Sequence, residues 1–148
     1  MRAGHAGRPP TVVGVVGRGL LYFALVFGAG FLLGPIRVLW LAPRVGERSA
    51  ELIEAPLMLA AIALAARWIA RRWTAGWSAP PVLALGACGA AAVLVADLAV
   101  GLGLRGMSAA QIFMDRDPVA GTVYYLLIAL MALAPLAWRW AWSAKRVP

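Results

Sequence analysis

Residues 34–58 read GPIRVLWLAPRVGERSAELIEAPLM, and this stretch decides how the chain folds. It separates two long apolar runs and gathers Arg37, Arg44, Glu47, Arg48, Glu51 and Glu54 into a short span. If the flanking runs cross a bilayer, these charges sit at one membrane face, some of them inside it. Charges at that depth are costly, so they are held there by pairing or by a task. From Arg44 onward the spacing is helical, with Glu47, Glu51 and Glu54 on one face at i, i+4 and i+7. Arg44 with Glu47, and Arg48 with Glu51, stand at the i, i+3 pairing distance. Gly34-Pro35 predicts an end or a kink in the preceding helix, and Pro43 predicts a new helix start. Pro56 falls inside the next helix and leaves the Leu52 carbonyl without its usual donor.

Outward from this stretch, composition explains why the flanks are spans. The chain has 148 residues, of which 63% are hydrophobic, and its mean hydropathy is +0.81. A water-soluble domain of this size cannot bury so much apolar surface, so lipid is the solvent for much of it. The net charge of +8 comes from basic residues in short clusters between apolar runs. That placement fits loops at a membrane face and argues against a nucleic-acid partner. Cys88 is the single cysteine and lies in an apolar run, so there is neither an internal disulfide nor a cysteine-based metal site. His5 lies in an N-terminal tail with Pro9 and Pro10, read as disordered.

One domain, 1–148, with four spans at about 11–33, 49–71, 80–104 and 119–141, accounts for the apolar runs. The first run is too long for a signal peptide. Gly30 and Gly34 make a GxxxG pair, a device for close helix approach. Arg67, Trp68, Arg71, Arg72 and Trp73 form a basic and aromatic belt. Ser78 precedes Pro80 and Pro81 as the cap of the third span, whose face includes Gly86, Gly89 and Ala90 and which Arg105 closes. Ser108 and Gln111 match a capping box, which predicts a short interfacial helix. Asp117-Pro118 is a second cap, opening the fourth span, and Ser143 to Pro148 is a basic tail.

Four spans put both termini and the loop around Thr74 on one side. That side carries Arg2, Arg8, Arg18, Arg67, Arg71, Arg72, Arg139, Lys145 and Arg146 and no acid. Arg37, Arg44, Arg48, Arg105 and Arg116 lie on the other side together with the acids. The first side is therefore expected to be cytoplasmic. At about 1.5 Å rise per residue, Glu54, Asp97, Tyr124 and Tyr125 fall roughly 6–10 Å outward of the midplane. Arg37 and Glu51 fall near the outer interface. These six residues form one candidate polar cluster, in which Arg37 is placed to bridge Glu54 and Asp97. Each also has a plainer reading: Glu51 and Glu54 as helix-start acids, Arg37 as a headgroup anchor, the tyrosines as an aromatic belt. Asp97 is hardest to dismiss, with only apolar neighbours in sequence.

The stretch 34–58, with AARW at 65–68 and RDPVAGTVY at 116–124, resembles a group of small bacterial inner-membrane proteins of uncharacterised function. The resemblance covers most of the chain. It implies a four-span protein of the bacterial inner membrane and no activity. The sequence carries no P-loop, HExxH, CxxC, GxSxG or dinucleotide fingerprint. The expectation is therefore an all-α integral membrane protein with a charged outer loop, no cofactor and no catalytic set. Its leading role is a non-enzymatic module, structural, accessory or binding lipid or a partner. Membrane lipid, a second copy or another membrane protein are its expected partners. A small transporter or proton-coupled carrier using Asp97 and Glu54 is the alternative, and an intramembrane lipid-modifying enzyme a weaker one.

Overall fold

A computed structural model describes residues 10–103, 106–114 and 117–144, without the side chains of residues 143 and 144. The expectations for the N-terminal tail before residue 10, Arg105, Arg116 and the last four residues lie outside them. All regular structure among the described residues is helical. The elements are α1 (Val12–Ile36), a π-helical segment (Arg37–Leu41), α2 (Ala42–Val45), α3 (Glu47–Trp73), α4 (Ala79–Gly103), α5 (Ala109–Phe113) and α6 (Pro118–Ala144). Among the described residues four helical stretches are long and apolar enough to cross a membrane: Val12–Val45, Glu47–Trp73, Ala79–Gly103 and Pro118–Trp142. Large apolar side chains such as Val13, Phe31, Leu64, Val95 and Leu126 are exposed along them, as lipid-facing residues are.

Of the end or kink expected at Gly34-Pro35, the end does not occur. The helix takes Pro35 internally, widens into the π-helical segment and runs on through α2. Pro35 lacks an N–H and so leaves the Phe31 carbonyl without its usual donor; the π-helical segment follows it and ends just before Pro43. The Arg37 N–H is shared between the Gly34 and Leu33 carbonyls, and the Ala42 N–H reaches back five residues to the Arg37 carbonyl. At about 1.5 Å per residue the continuous stretch is roughly 50 Å long, well beyond a hydrocarbon core of ~30 Å. A stretch of that length tilts within a bilayer or extends past its surface. The break comes at Gly46, whose φ of +82° suits only glycine, and α3 begins at Glu47 rather than at Ser49.

The four long helices form a ring. α1 packs on α3 and α4, and α6 packs on α3 and α4, so the two diagonal pairs are held apart. Packing is tight at the end holding the start of α1 and the end of α6, here the basic end. A Cβ on Gly86 would lie 2.0 Å from the Ala132 carbonyl oxygen, so α4 and α6 touch backbone to backbone. Gly86, Gly89 and Ala90 are buried, as the small-residue face predicts. Tyr22, fully buried, crosses the ring and donates its hydroxyl to the Met131 carbonyl at 3.1 Å. That carbonyl is free because Pro135, four residues on, has no N–H to offer it. Around this plug the basic belt folds onto rings: Arg18 on Trp77 at 4.7 Å, Arg67 on Trp138 at 5.4 Å and Arg71 on Trp142 at 4.8 Å.

The opposite, acidic end is looser. Gly30 meets only the Met58 side chain at ordinary contact distance, and Gly34 meets nothing. The GxxxG pair therefore does not draw two backbones together; it leaves room. α5 packs on α4 with Ile112 against Gly101. Its N-terminus carries the complete Ser108–Gln111 capping box.

Candidate functional site

The space left by the separated diagonals is a cavity of about 730 Å³ at the acidic end. It follows α3 from Glu47 to Ile62, roughly 20 Å at 1.5 Å per residue. Its deep end is apolar, made by the buried side chains of Val26, Ile62, Val93 and Met131. The Tyr22 plug lies just behind Met131. Its outer half carries Glu47, Glu51, Glu54, Asp97 and Asp117 against Arg37 and Arg48. Phe31, Val38 and Leu52 beside the α1–α3 seam, and Val100 on α4, line it and are also exposed, so its rim reaches the surface on the side of the first helical stretch.

Five of the six sequence-derived residues line this cavity: Arg37, Glu51, Glu54, Asp97 and Tyr124. They form two groups on opposite walls. On one wall Arg37, at the start of the π-helical segment, reaches α3. Its Nη1 donates to Glu51 Oε1 at 2.9 Å and its Nε stands 3.1 Å from Glu54 Oε2. The second contact is an ion pair without an aligned hydrogen bond, so Arg37 Nε and Glu54 Oε2 are buried atoms with no hydrogen-bond partner. On the other wall the Tyr124 hydroxyl of α6 donates to Asp97 Oδ2 of α4 in a short contact. The expected bridge from Arg37 to Asp97 is thus replaced. Arg37 takes Glu54, as expected, and Glu51, which is one turn nearer the surface. Asp97 is satisfied by a neutral donor on its own side of the ring.

Tyr125 is not part of the cavity wall. Adjacent helical residues point about 100° apart, and its hydroxyl instead donates to the Phe113 carbonyl at 2.8 Å, tying α5 to α6. The two i, i+3 pairs of the charged stretch also rearrange. Arg44 donates to the Trp40 carbonyl at 2.7 Å and lies over that indole. Arg48 crosses to Asp117, with Nε 2.8 Å from Oδ2 and a second guanidinium nitrogen on the same oxygen. Asp117 was expected as a cap, and its Oδ1 does accept from the Val119 and Ala120 N–H groups at 3.0 Å each. The hydrogen bond from Arg48, joined by these backbone donors, holds the Asp117 carboxyl below the usual carboxylate range. The Arg48–Asp117 pair was missed because it joins residues 69 apart in sequence. Its one local signal was that Asp117 offers a second oxygen beyond the one a cap uses.

Among the described residues no group of three or more His, Cys, Asp and Glu side chains is placed to hold a metal ion. The cavity's polar atoms are carboxylates, two guanidinium groups, the Gln111 amide and the Tyr124 hydroxyl. Such a set can bind and orient a charged guest, and it can carry a proton on a carboxylate. The chain matches no protein-family model, no curated protein and no solved structure.

Proposed function

We propose that this protein is a non-enzymatic binding module of the bacterial inner membrane that takes an amphiphilic guest into the cavity between its four spans. One observation carries the reading: the cavity is graded from a charged outer half to an apolar floor, and exposed apolar residues, Phe31, Val38, Leu52 and Val100, form part of its rim where lipid would lie. A volume of about 730 Å³ falls within the roughly 300–1,000 Å³ of sites that hold drug-sized ligands. The excess of basic residues at the basic end supports a cytoplasmic position for both termini, with the cavity facing outward. A reporter after Pro148 is expected to be cytoplasmic and one near Gly46 periplasmic; a periplasmic C-terminus would reverse the orientation.

The direct test fills the cavity without touching its charges. Gly34 lines it, and a Cβ there meets nothing within 4 Å. Gly34→Leu should therefore fold as well as wild type and lose bound guest. Native mass spectrometry of full-length protein released from mild detergent reads both. A co-purified amphiphile retained equally by wild type and Gly34→Leu would place it elsewhere and defeat the reading. The carrier alternative draws on Asp97, a carboxylate on the cavity wall whose hydrogen-bond partner among the described residues is a hydroxyl. It requires the Tyr22 plug to open, and proton-linked flux in vesicles that Tyr22→Phe alters would favour it.

A further inference from the structure

Charge selects the guest. The described lining residues set five carboxyl groups against two guanidinium groups. Arg37 is already shared between Glu51 and Glu54, and Arg48 is committed to Asp117. Glu47 and Asp97 therefore add negative charge that no guanidinium among the described lining residues answers. Glu54 Oε2 is buried and, although it is ion-paired with Arg37 Nε at 3.1 Å, accepts no aligned hydrogen bond, so it keeps its acceptor capacity for a further donor. Phe27 and Phe31 supply aromatic faces on the same wall, and aromatic faces attract cations.

Resting on the binding reading above, we propose that the cavity is selective for lipophilic cations: guests with an apolar body and a net positive, ammonium-like centre. The apolar body lies against Val26, Ile62, Val93 and Met131. The cationic centre lies between Glu54 on one wall and Asp97 on the other. A zwitterionic phospholipid is disfavoured, because its phosphate would bring a negative charge among the carboxylates. An anionic one is disfavoured further.

The test uses two ions of nearly the same shape and opposite charge, tetraphenylphosphonium and tetraphenylborate. Binding of each to full-length protein in a non-ionic detergent is measured by equilibrium dialysis. The cation is expected to bind at least ten-fold more tightly than the anion. Asp97→Asn, which keeps a hydrogen-bond partner for Tyr124, should weaken the cation by about ten-fold, the order of one partly desolvated charge pair. Asp97→Glu should restore it. Gly34→Leu should weaken both ions. Equal affinity for the two ions would overturn the charge selectivity and leave the amphiphile reading standing. Binding of neither, by a protein that also carries no co-purified guest, would overturn both. Displacement of the cation by phosphatidylethanolamine at equal concentration would overturn it in favour of a lipid headgroup.

Discussion

Replacing Tyr22 by Phe removes one hydroxyl from the middle of the ring, and the consequence follows from Pro135. The Met131 carbonyl would ordinarily accept from the N–H four residues on, but that residue is proline. Tyr22, with none of its surface exposed, supplies the missing donor at 3.1 Å from across the bundle. Tyr22→Phe leaves the carbonyl buried and unpaired, at about 1–3 kcal/mol by the cost of an unsatisfied buried group. Polar contacts between membrane helices average lower, ~0.6 kcal/mol with a ceiling near 1.7. The expected loss is therefore about 1–1.5 kcal/mol, because here the helix itself has no alternative donor to offer. Pro135→Ala restores an N–H at position 135, which closes onto Met131. In that background Tyr22→Phe should cost under about 0.5 kcal/mol, since the carbonyl is satisfied within its own helix. Reversible unfolding in mixed detergent micelles, read by helical circular dichroism, gives both sides of the cycle. An equal loss in the two backgrounds would refute the link between the proline and the tyrosine.

Arg37→Ala should destabilise by about 2–3 kcal/mol, short of the roughly 3–5 for a fully buried pair because its side chain keeps some exposure. Arg44→Ala, which releases only a carbonyl and an indole face, should cost a small fraction of that; equal losses in the same unfolding assay would remove Arg37 from its central place. A double-mutant cycle on Asp97→Ala and Tyr124→Phe should show coupling of about 0.5–1.5 kcal/mol, whereas Asp97→Ala with Arg37→Ala should add independently. The opposite pattern would restore the Arg37–Asp97 bridge. The folded Asp117 carboxyl is depressed, so its contribution to stability is complete above the ordinary carboxylate range and lost as pH falls through the depressed value. The melting-temperature gap between wild type and Asp117→Asn, which keeps a cap, should accordingly close on acidification, and a gap constant down to the acid limit would contradict this.

The fold was legible because hydrophobic run length, capping residues and charge placement each act locally. Ser108–Gln111 and Asp117-Pro118 cap helices as their spacing predicts. The charged stretch was legible in composition but not in partners. Glu47, Glu51 and Glu54 line one cavity wall as their periodicity requires, yet the choice among three arginines depended on how the chain passes Pro35. A helix that ends there leaves Arg37 free to swing toward the third span. A helix that continues through a π-helical turn fixes Arg37 against the second, over Glu51 and Glu54. Nothing local distinguishes the two, because proline is tolerated in membrane helices when neighbouring groups or a widened turn absorb its defect. The same limit hid Tyr22, whose role depends on a proline 113 residues away.

The polar contacts at the acidic end are arranged as three clasps, one per seam. Arg37 with Glu51 and Glu54 joins the first helical stretch to α3, Arg48 with Asp117 joins α3 to the start of α6, and Tyr124 with Asp97 joins α6 to α4. The remaining seam, α1 to α4, is closed at the basic end, where Gly19 meets Cys88. This division follows from the cavity. Within a bilayer, helices adhere by close packing and by hydrogen bonds, because lipid tails remove the hydrophobic drive. Where Gly86 and Gly89 bring backbones into contact, packing suffices. Where Gly30 and Gly34 leave a void instead, packing is forfeited, and long side chains must span the gap. The carboxylates that hold the outer half together are therefore the ones that line it. On the binding reading proposed above, a structural cluster and a binding cluster are the same residues. A guest that met Glu54 and Asp97 would then tighten the outer half as well as occupy it, by bringing the α3 and α4 walls onto one centre.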